Sequence, residues 1–168
     1  GYVGVNADIM VMRLDDAGKS EPFLDTPFDE WSPAISPDGR WLAFNSDANQ
    51  KGRFDVYVTS FPNKGAVKQV SEDGGGRPVW SPKGDELFFR KADELMVVAF
   101  EADAEFRPSP PHPLLRMPAT VRDYEVAPDG QRFLVVTEDP EPPALKQLVV
   151  VQNWFTELKR LAPPEGQK

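Results

Sequence analysis

Ser36-Pro37-Asp38-Gly39, Ser81-Pro82-Lys83-Gly84 and Ala127-Pro128-Asp129-Gly130 are three copies of one tetrapeptide, spaced 45 and then 46 residues apart. A fixed period of that size marks an array of similar supersecondary units, and about 40–50 residues is the period of a four-stranded propeller blade. Proline presets φ at the first corner of a tight turn, and Asp-Gly or Lys-Gly tolerates the positive φ of a hairpin corner. Each copy lies between two short runs rich in aromatic and β-branched residues. Trp31-Ser32-Pro33-Ala34-Ile35 precedes the first and Arg40-Trp41-Leu42-Ala43-Phe44 follows it. Arg77-Pro78-Val79-Trp80 and Glu86-Leu87-Phe88-Phe89-Arg90 flank the second; Tyr124-Glu125-Val126 and Arg132-Phe133-Leu134-Val135-Val136 flank the third. These read as hairpins.

A third strand recurs in each unit: Phe54-Asp55-Val56-Tyr57-Val58, Leu95-Met96-Val97-Val98-Ala99 and Leu148-Val149-Val150-Val151, with Asp8-Ile9-Met10-Val11-Met12 as the same element upstream. A weaker fourth strand is expected at Glu21-Pro22-Phe23-Leu24, Val67-Lys68-Gln69-Val70 and His112-Pro113-Leu114-Leu115. Charge and proline suit it, because it is a solvated edge. The expected fold is therefore all-β: a partial β-propeller of about four four-stranded antiparallel blades, at about 1–25, 29–71, 74–116 and 121–152, the first and last incomplete. Tyr2-Val3-Gly4-Val5 reads as a remnant second strand of the first blade. Asn153-Trp154-Phe155-Thr156-Glu157-Leu158-Lys159-Arg160-Leu161 spaces Trp154, Leu158 and Leu161 as one helical face, with Asn153 as N-cap, so a short C-terminal helix is expected at about 153–161.

Composition agrees with this reading. The 168 residues include 18 prolines and 12 glycines and are 40% hydrophobic, which suits a single turn-rich β domain. No apolar run is long enough to span a bilayer, so this segment is not expected to insert directly into a membrane. Gly1 in place of an initiator methionine reads as the mark of an excised segment. The absence of cysteine excludes disulfides and thiolate metal sites. A formal net charge of −8, with no basic face, argues against nucleic acid as a partner.

Catalytic constellations are missing from the sequence. The one histidine, His112, lies in a proline-rich stretch, and no Gly-x-Ser-x-Gly elbow accompanies it. The acidic pairs Asp15-Asp16, Glu72-Asp73, Asp103 with Glu105, and Glu138-Asp139 with Glu141 read as solvated turn charge. None forms the Asp-x-Asp-x-Asp-Gly pattern of a calcium loop. Gly74-Gly75-Gly76 lacks the strand-before, helix-after context of a phosphate cradle. No enzyme, cofactor or metal site is expected.

The string from Asp29 through Trp31-Ser32-Pro33-Ala34-Ile35-Ser36-Pro37-Asp38-Gly39-Arg40-Trp41 to Phe44 resembles the repeat of the TolB-like, WD40-like (PD40) β-propellers. The resemblance covers nearly the whole chain. Phe23 to Trp31, Asp55-Val56-Tyr57-Val58 with Phe61-Pro62, and Asn153 to Leu161 are similar to the C-terminal propeller ends of bacterial membrane-bound serine/threonine protein kinases. What this implies is a non-catalytic sensing or protein-interaction segment of a larger protein, placed outside the cytoplasmic membrane. Any kinase domain would lie upstream, because no kinase motif occurs here. The alternative is a stand-alone structural module that closes its ring as a homodimer. Two end blades with bare faces need cover, and a second copy related by a two-fold axis can supply it.

In a propeller, the connections from one blade's outer strand to the next blade's inner strand gather at one mouth of the channel. They are Thr26 to Trp31, Glu72 to Arg77, and Pro118 to Tyr124. Glu30, Trp31, Arg77, Arg122, Asp123 and Tyr124 are accordingly the candidate ligand- or partner-binding residues. Aligned on the repeat, Glu30, Arg77 and Asp123 or Arg122 fall at nearly equivalent positions. Aromatics there would supply contact area and the charges orientation. The competing expectation is that the charges tie blades to one another. Trp31, Trp41, Trp80, Phe44, Phe88, Phe89 and Phe133 are expected to pack between sheets.

Overall fold

The computed structural model describes residues 6–15, 18–101 and 106–138, which belong to one compact unit. The expected remnant strand at 2–5, the strand at 148–151 and the helix at 153–161 lie outside the described residues.

The three tetrapeptides fold alike. In each, the glycine N–H donates to the carbonyl of the first residue at 2.8 Å. The N–H of that first residue closes the hairpin onto Trp41, Glu86 or Arg132, at 2.9, 2.8 and 2.8 Å. Only the glycine of each turn is left-handed, with φ of +73° at Gly39, +76° at Gly84 and +66° at Gly130. This is a type I turn closed by a glycine in the αL region, so the residue before the glycine carries no positive φ. At Asp38 the Ser36 hydroxyl, followed by the Arg40 backbone and guanidinium, lowers the carboxyl to about 2.

The described residues form four antiparallel sheets, and the three turns join the first two strands of the last three. The first pairs β1 (Ile9–Met12) with β2 (Ser20–Leu24). The second orders β3 (Glu30–Ile35), β4 (Trp41–Gln50), β5 (Arg53–Ser60) and β6 (Lys68–Gln69). The third repeats it with β7 (Gly76–Trp80), β8 (Glu86–Lys91) and β9 (Glu94–Glu101). Its outer edge is shared by β10 (Arg107–Pro108) and β11 (His112–Arg116). Prolines 108, 110 and 111 withhold ladder donors there and split the edge strand in two. The fourth sheet pairs β12 (Val121–Val126) with β13 (Phe133–Thr137).

The strand period of two assigns successive side chains to different neighbours. In β5, Val56 and Val58 enter a layer with Leu87, Phe89, Val98 and Phe106, between the second and third sheets. Tyr57 points the other way, into a layer with Ile9, Leu24, Leu42 and Phe44. In β8, Leu87 and Phe89 face the second sheet, whereas Phe88 joins Val121, Tyr124 and Val126 of the fourth. Both faces of the middle sheets are thus buried against flanking sheets, which is how propeller blades stack. Fully burying one such side chain contributes roughly 1.5–3 kcal/mol. All-β, antiparallel and incomplete at both ends, the described chain is a partial propeller.

The aromatics divide. Trp80, Phe44, Phe88 and Phe89 are buried, and Trp41 and Phe133 pack against the layers. Trp31 does not: it is 55% exposed on β3. The expectation that it packs between sheets is corrected.

Candidate functional site

The first strand of each full repeat, β3 or β7, has one hydrogen-bonded neighbour and lies beside the inner strand of the next repeat; β12 continues the series. Together they line a groove of about 680 Å³. Its walls are Ser32 to Ile35 with Pro37, Arg77 to Trp80, and Asp123 to Glu125, joined by Leu134 to Val136 of β13. Ile35, Leu134, Val135 and Val136 are exposed apolar side chains within it.

Two side-chain ties hold the inner strands in series. Trp80 Nε1 donates to the Ala34 carbonyl at 2.8 Å. The Tyr124 hydroxyl donates to the Arg77 carbonyl at 2.6 Å. Burial pushes the Tyr124 phenol well above the ordinary tyrosine range. Beside it, Arg77 Nη1 meets Asp123 Oδ1 at 2.8 Å, with both side chains about half exposed or more.

Inner strands bulge where they begin. Pairing shifts register between Trp31 and Ala34, between Gly76 and Val79, and between Val121 and Asp123. Ser32 and Arg77, each four residues before its turn, share a left-handed φ of 53° and 54°. Asp123 holds the same place before the third turn. The repeat therefore sets Arg77 beside the residue equivalent to itself one unit later.

The other candidates scatter for physical reasons. Arg122 is the unpaired residue of the bulge between Val121 and Asp123 and turns elsewhere; Arg122 Nη2 meets Glu138 Oε2 at 2.5 Å. Glu30 lies two positions earlier in its repeat than Arg77 does, equivalent to Gly75 and Val121 rather than to Arg77. It is buried, accepts the Thr26 hydroxyl at 2.5 Å, and burial raises its pKa. Trp31 stands exposed and does not line the groove. The structure thus gathers Arg77, Asp123 and Tyr124 and leaves Glu30, Trp31 and Arg122 apart.

Sequence reasoning missed the polar residues that fasten the mouth loops. Asp47 is buried and accepts the N–H of Asp29 at 3.0 Å and of Gly52 at 2.7 Å. Those bonds hold its carboxyl below the usual aspartate range. Asp55, fully buried, accepts the Gly74 N–H at 2.8 Å and the Ser71 hydroxyl at 3.4 Å. Arg90 donates to the Val121 carbonyl. Asn45 is its counterpart nine residues after the first turn's serine, and its amide lies against Gly76. That shared offset was the available signal. Among the described residues, no group of histidines and carboxylates is placed to hold a metal ion.

This architecture defines a class, the partial β-propeller. No family profile matches the chain, and no curated protein does. Solved structures do. A TolB from Acinetobacter baumannii is similar with a TM-score of 0.56 and 16% identity, over 80% of this chain and 33% of that one. A protein assigned to TolB from Agrobacterium tumefaciens is similar with a TM-score of 0.46 and 24% identity, over 60% of this chain and 40% of that one. The chain thus spans well under half the length of either, and the first of them shows the same propeller fold.

Proposed function

We propose that this chain is a non-catalytic protein-interaction segment of a larger TolB-like propeller protein, and that the axial groove is its docking surface. One observation carries the reading: four exposed apolar side chains, Ile35, Leu134, Val135 and Val136, share a groove with the Arg77–Asp123 pair. Exposed apolar surface grouped beside oriented charge is how docking surfaces are built. The mouth residues Glu30, Trp31 and Arg122 serve this role indirectly, as loop anchor, exposed rim and strand tie. The PD40-like repeat and the similarity to the propeller ends of membrane-bound kinases favour a sensing role outside the cytoplasmic membrane, with the missing blades supplied by the parent protein.

Photo-crosslinking tests this. A benzoylphenylalanine at Leu134 in the parent protein should yield a specific adduct with a protein partner, and one at Val67, exposed just before the outer strand β6, should not. An adduct from Val67 alone, or none from Leu134, refutes groove docking.

The second reading, a homodimer, rests on the end sheets. Met10 and Met12 on the first and Leu134 and Val136 on the last are exposed. Light scattering on the isolated chain decides it: a monomer at micromolar concentration removes the homodimer.

A further inference from the structure

Strand addition is the obvious way for a groove lined by sheet edges to hold a peptide. The inner edges here are largely closed to it. Ser36, Ser81 and Ala127 donate their N–H groups to the next strand of their own sheet. Backbone direction alternates, so residues one and three places earlier point theirs away from the sheet, toward the groove. Three places earlier stand Pro33 and Pro78, which have no N–H, and Tyr124. The Tyr124 N–H is taken by Asp123 Oδ1 at 3.0 Å. One place before the turn, the Val126 N–H is taken by Glu125 Oε1 at 3.3 Å, whereas Ile35 and Trp80 keep ordinary N–H groups at that place. Proline in two repeats and a carboxylate in the third remove the same donor by different chemistry. The matching carbonyls keep their acceptor capacity.

The groove therefore offers more backbone acceptors than donors, with the N–H groups of Ile35 and Trp80 as the remaining ones. Its charged side chains are Asp123, Glu125 and one cation, Arg77, already paired with Asp123. Apolar surface from Ile35, Leu134 and Val136 flanks them. A chain with a formal net charge of −8 adds long-range attraction for cations. We propose that the groove takes an extended segment of a partner protein with basic and apolar side chains in alternation. Its lysine or arginine groups bond the exposed carbonyls and Glu125, and its apolar side chains cover Leu134 and Val136. This rests on the groove-docking reading and names its guest.

The test uses the chain and three capped, fluorophore-labelled hexapeptides, read by anisotropy: Lys-Leu-Lys-Val-Lys-Leu and its versions with Ser or Glu replacing Lys. The basic peptide should bind about tenfold more tightly than the neutral one and weaken with salt, while the acidic one fails. Glu125→Gln should cut basic-peptide affinity about threefold, and Leu134→Lys should abolish it while leaving the circular dichroism spectrum unchanged. Equal binding of basic and neutral peptides, lost in Leu134→Lys, overturns the charge inference and leaves groove docking standing. Binding of the basic peptide that ignores both substitutions places it elsewhere and overturns the inference. No binding by any peptide overturns groove docking itself.

Discussion

Two tryptophans of similar sequence context should behave in opposite ways when truncated. Trp80 ends β7, is 6% exposed, and meets Phe100 at 5.1 Å and Phe106 at 6.3 Å between ring centroids, both edge-on. Its indole N–H also reaches across to the Ala34 carbonyl. Trp80→Ala loses the transfer energy, leaves a cavity and orphans that bond, costing about 3–5 kcal/mol. In a chain of this size about 1 kcal/mol corresponds to roughly 2–4 °C in Tm, so Tm should fall by at least about 6 °C. Trp80→Phe keeps most of the ring and loses the N–H, so about 1–2 kcal/mol is expected. Trp31→Ala removes a side chain already in solvent and should stay within about 0.5 kcal/mol. Urea unfolding followed by circular dichroism gives all three values, and an unchanged m-value confirms that stability, not the unfolded state, has moved. Equal costs for Trp31→Ala and Trp80→Ala would refute the assignment of Trp80, and not Trp31, to an inter-sheet layer.

Four further outcomes are expected. Alanine at Gly39, Gly84 or Gly130 forces a Cβ into left-handed backbone and should cost about 1 kcal/mol each, with the triple variant near the sum because the turns are far apart, as measured by thermal unfolding. Arg77→Gly should be more stable than Arg77→Ala by about 1 kcal/mol in chemical denaturation, since glycine relieves the positive φ that both substitutions otherwise leave alike. Asp55→Ala removes the acceptor of the half-buried Gly74 N–H and empties a fully buried site, and should cost about 2 kcal/mol, with faster amide exchange at Gly74 as its local signature. Asp47 has a depressed carboxyl pKa, so its stabilisation is present above the ordinary aspartate value of 3.8 and is lost as pH falls through the folded-state value. Asp47→Asn should therefore lower stability at neutral pH and flatten the acid limb, read from the urea midpoint against pH.

The repeat was legible because each tetrapeptide encodes its own turn locally. Proline, a short polar residue and glycine act within four residues, so neighbouring blades cannot change the outcome. The unbroken apolar run Leu87-Phe88-Phe89 likewise announces a strand buried on both faces. The site was harder to read because its geometry depends on a bulge. The register shift at Val121–Asp123 decides that Asp123, not Arg122, meets Arg77, and no residue there signals it. Trp31 reads like a core residue by type, yet its equivalents are Gly76 and Arg122 rather than another aromatic. Comparing repeats position by position, instead of by residue class, would have separated it from Trp80. Asp47 and Asp55 are not marked out in the sequence, since their backbone partners lie 5 to 19 residues away and carry no sequence signature.

The most direct test is a nuclear Overhauser spectrum of the methyl and aromatic protons, read at Tyr57 and Val58. The stacked-blade account predicts that the Tyr57 ring sees Ile9, Leu24 and Leu42, while Val58 sees Leu87 and Val98. Both residues reporting to one common set of neighbours would contradict it.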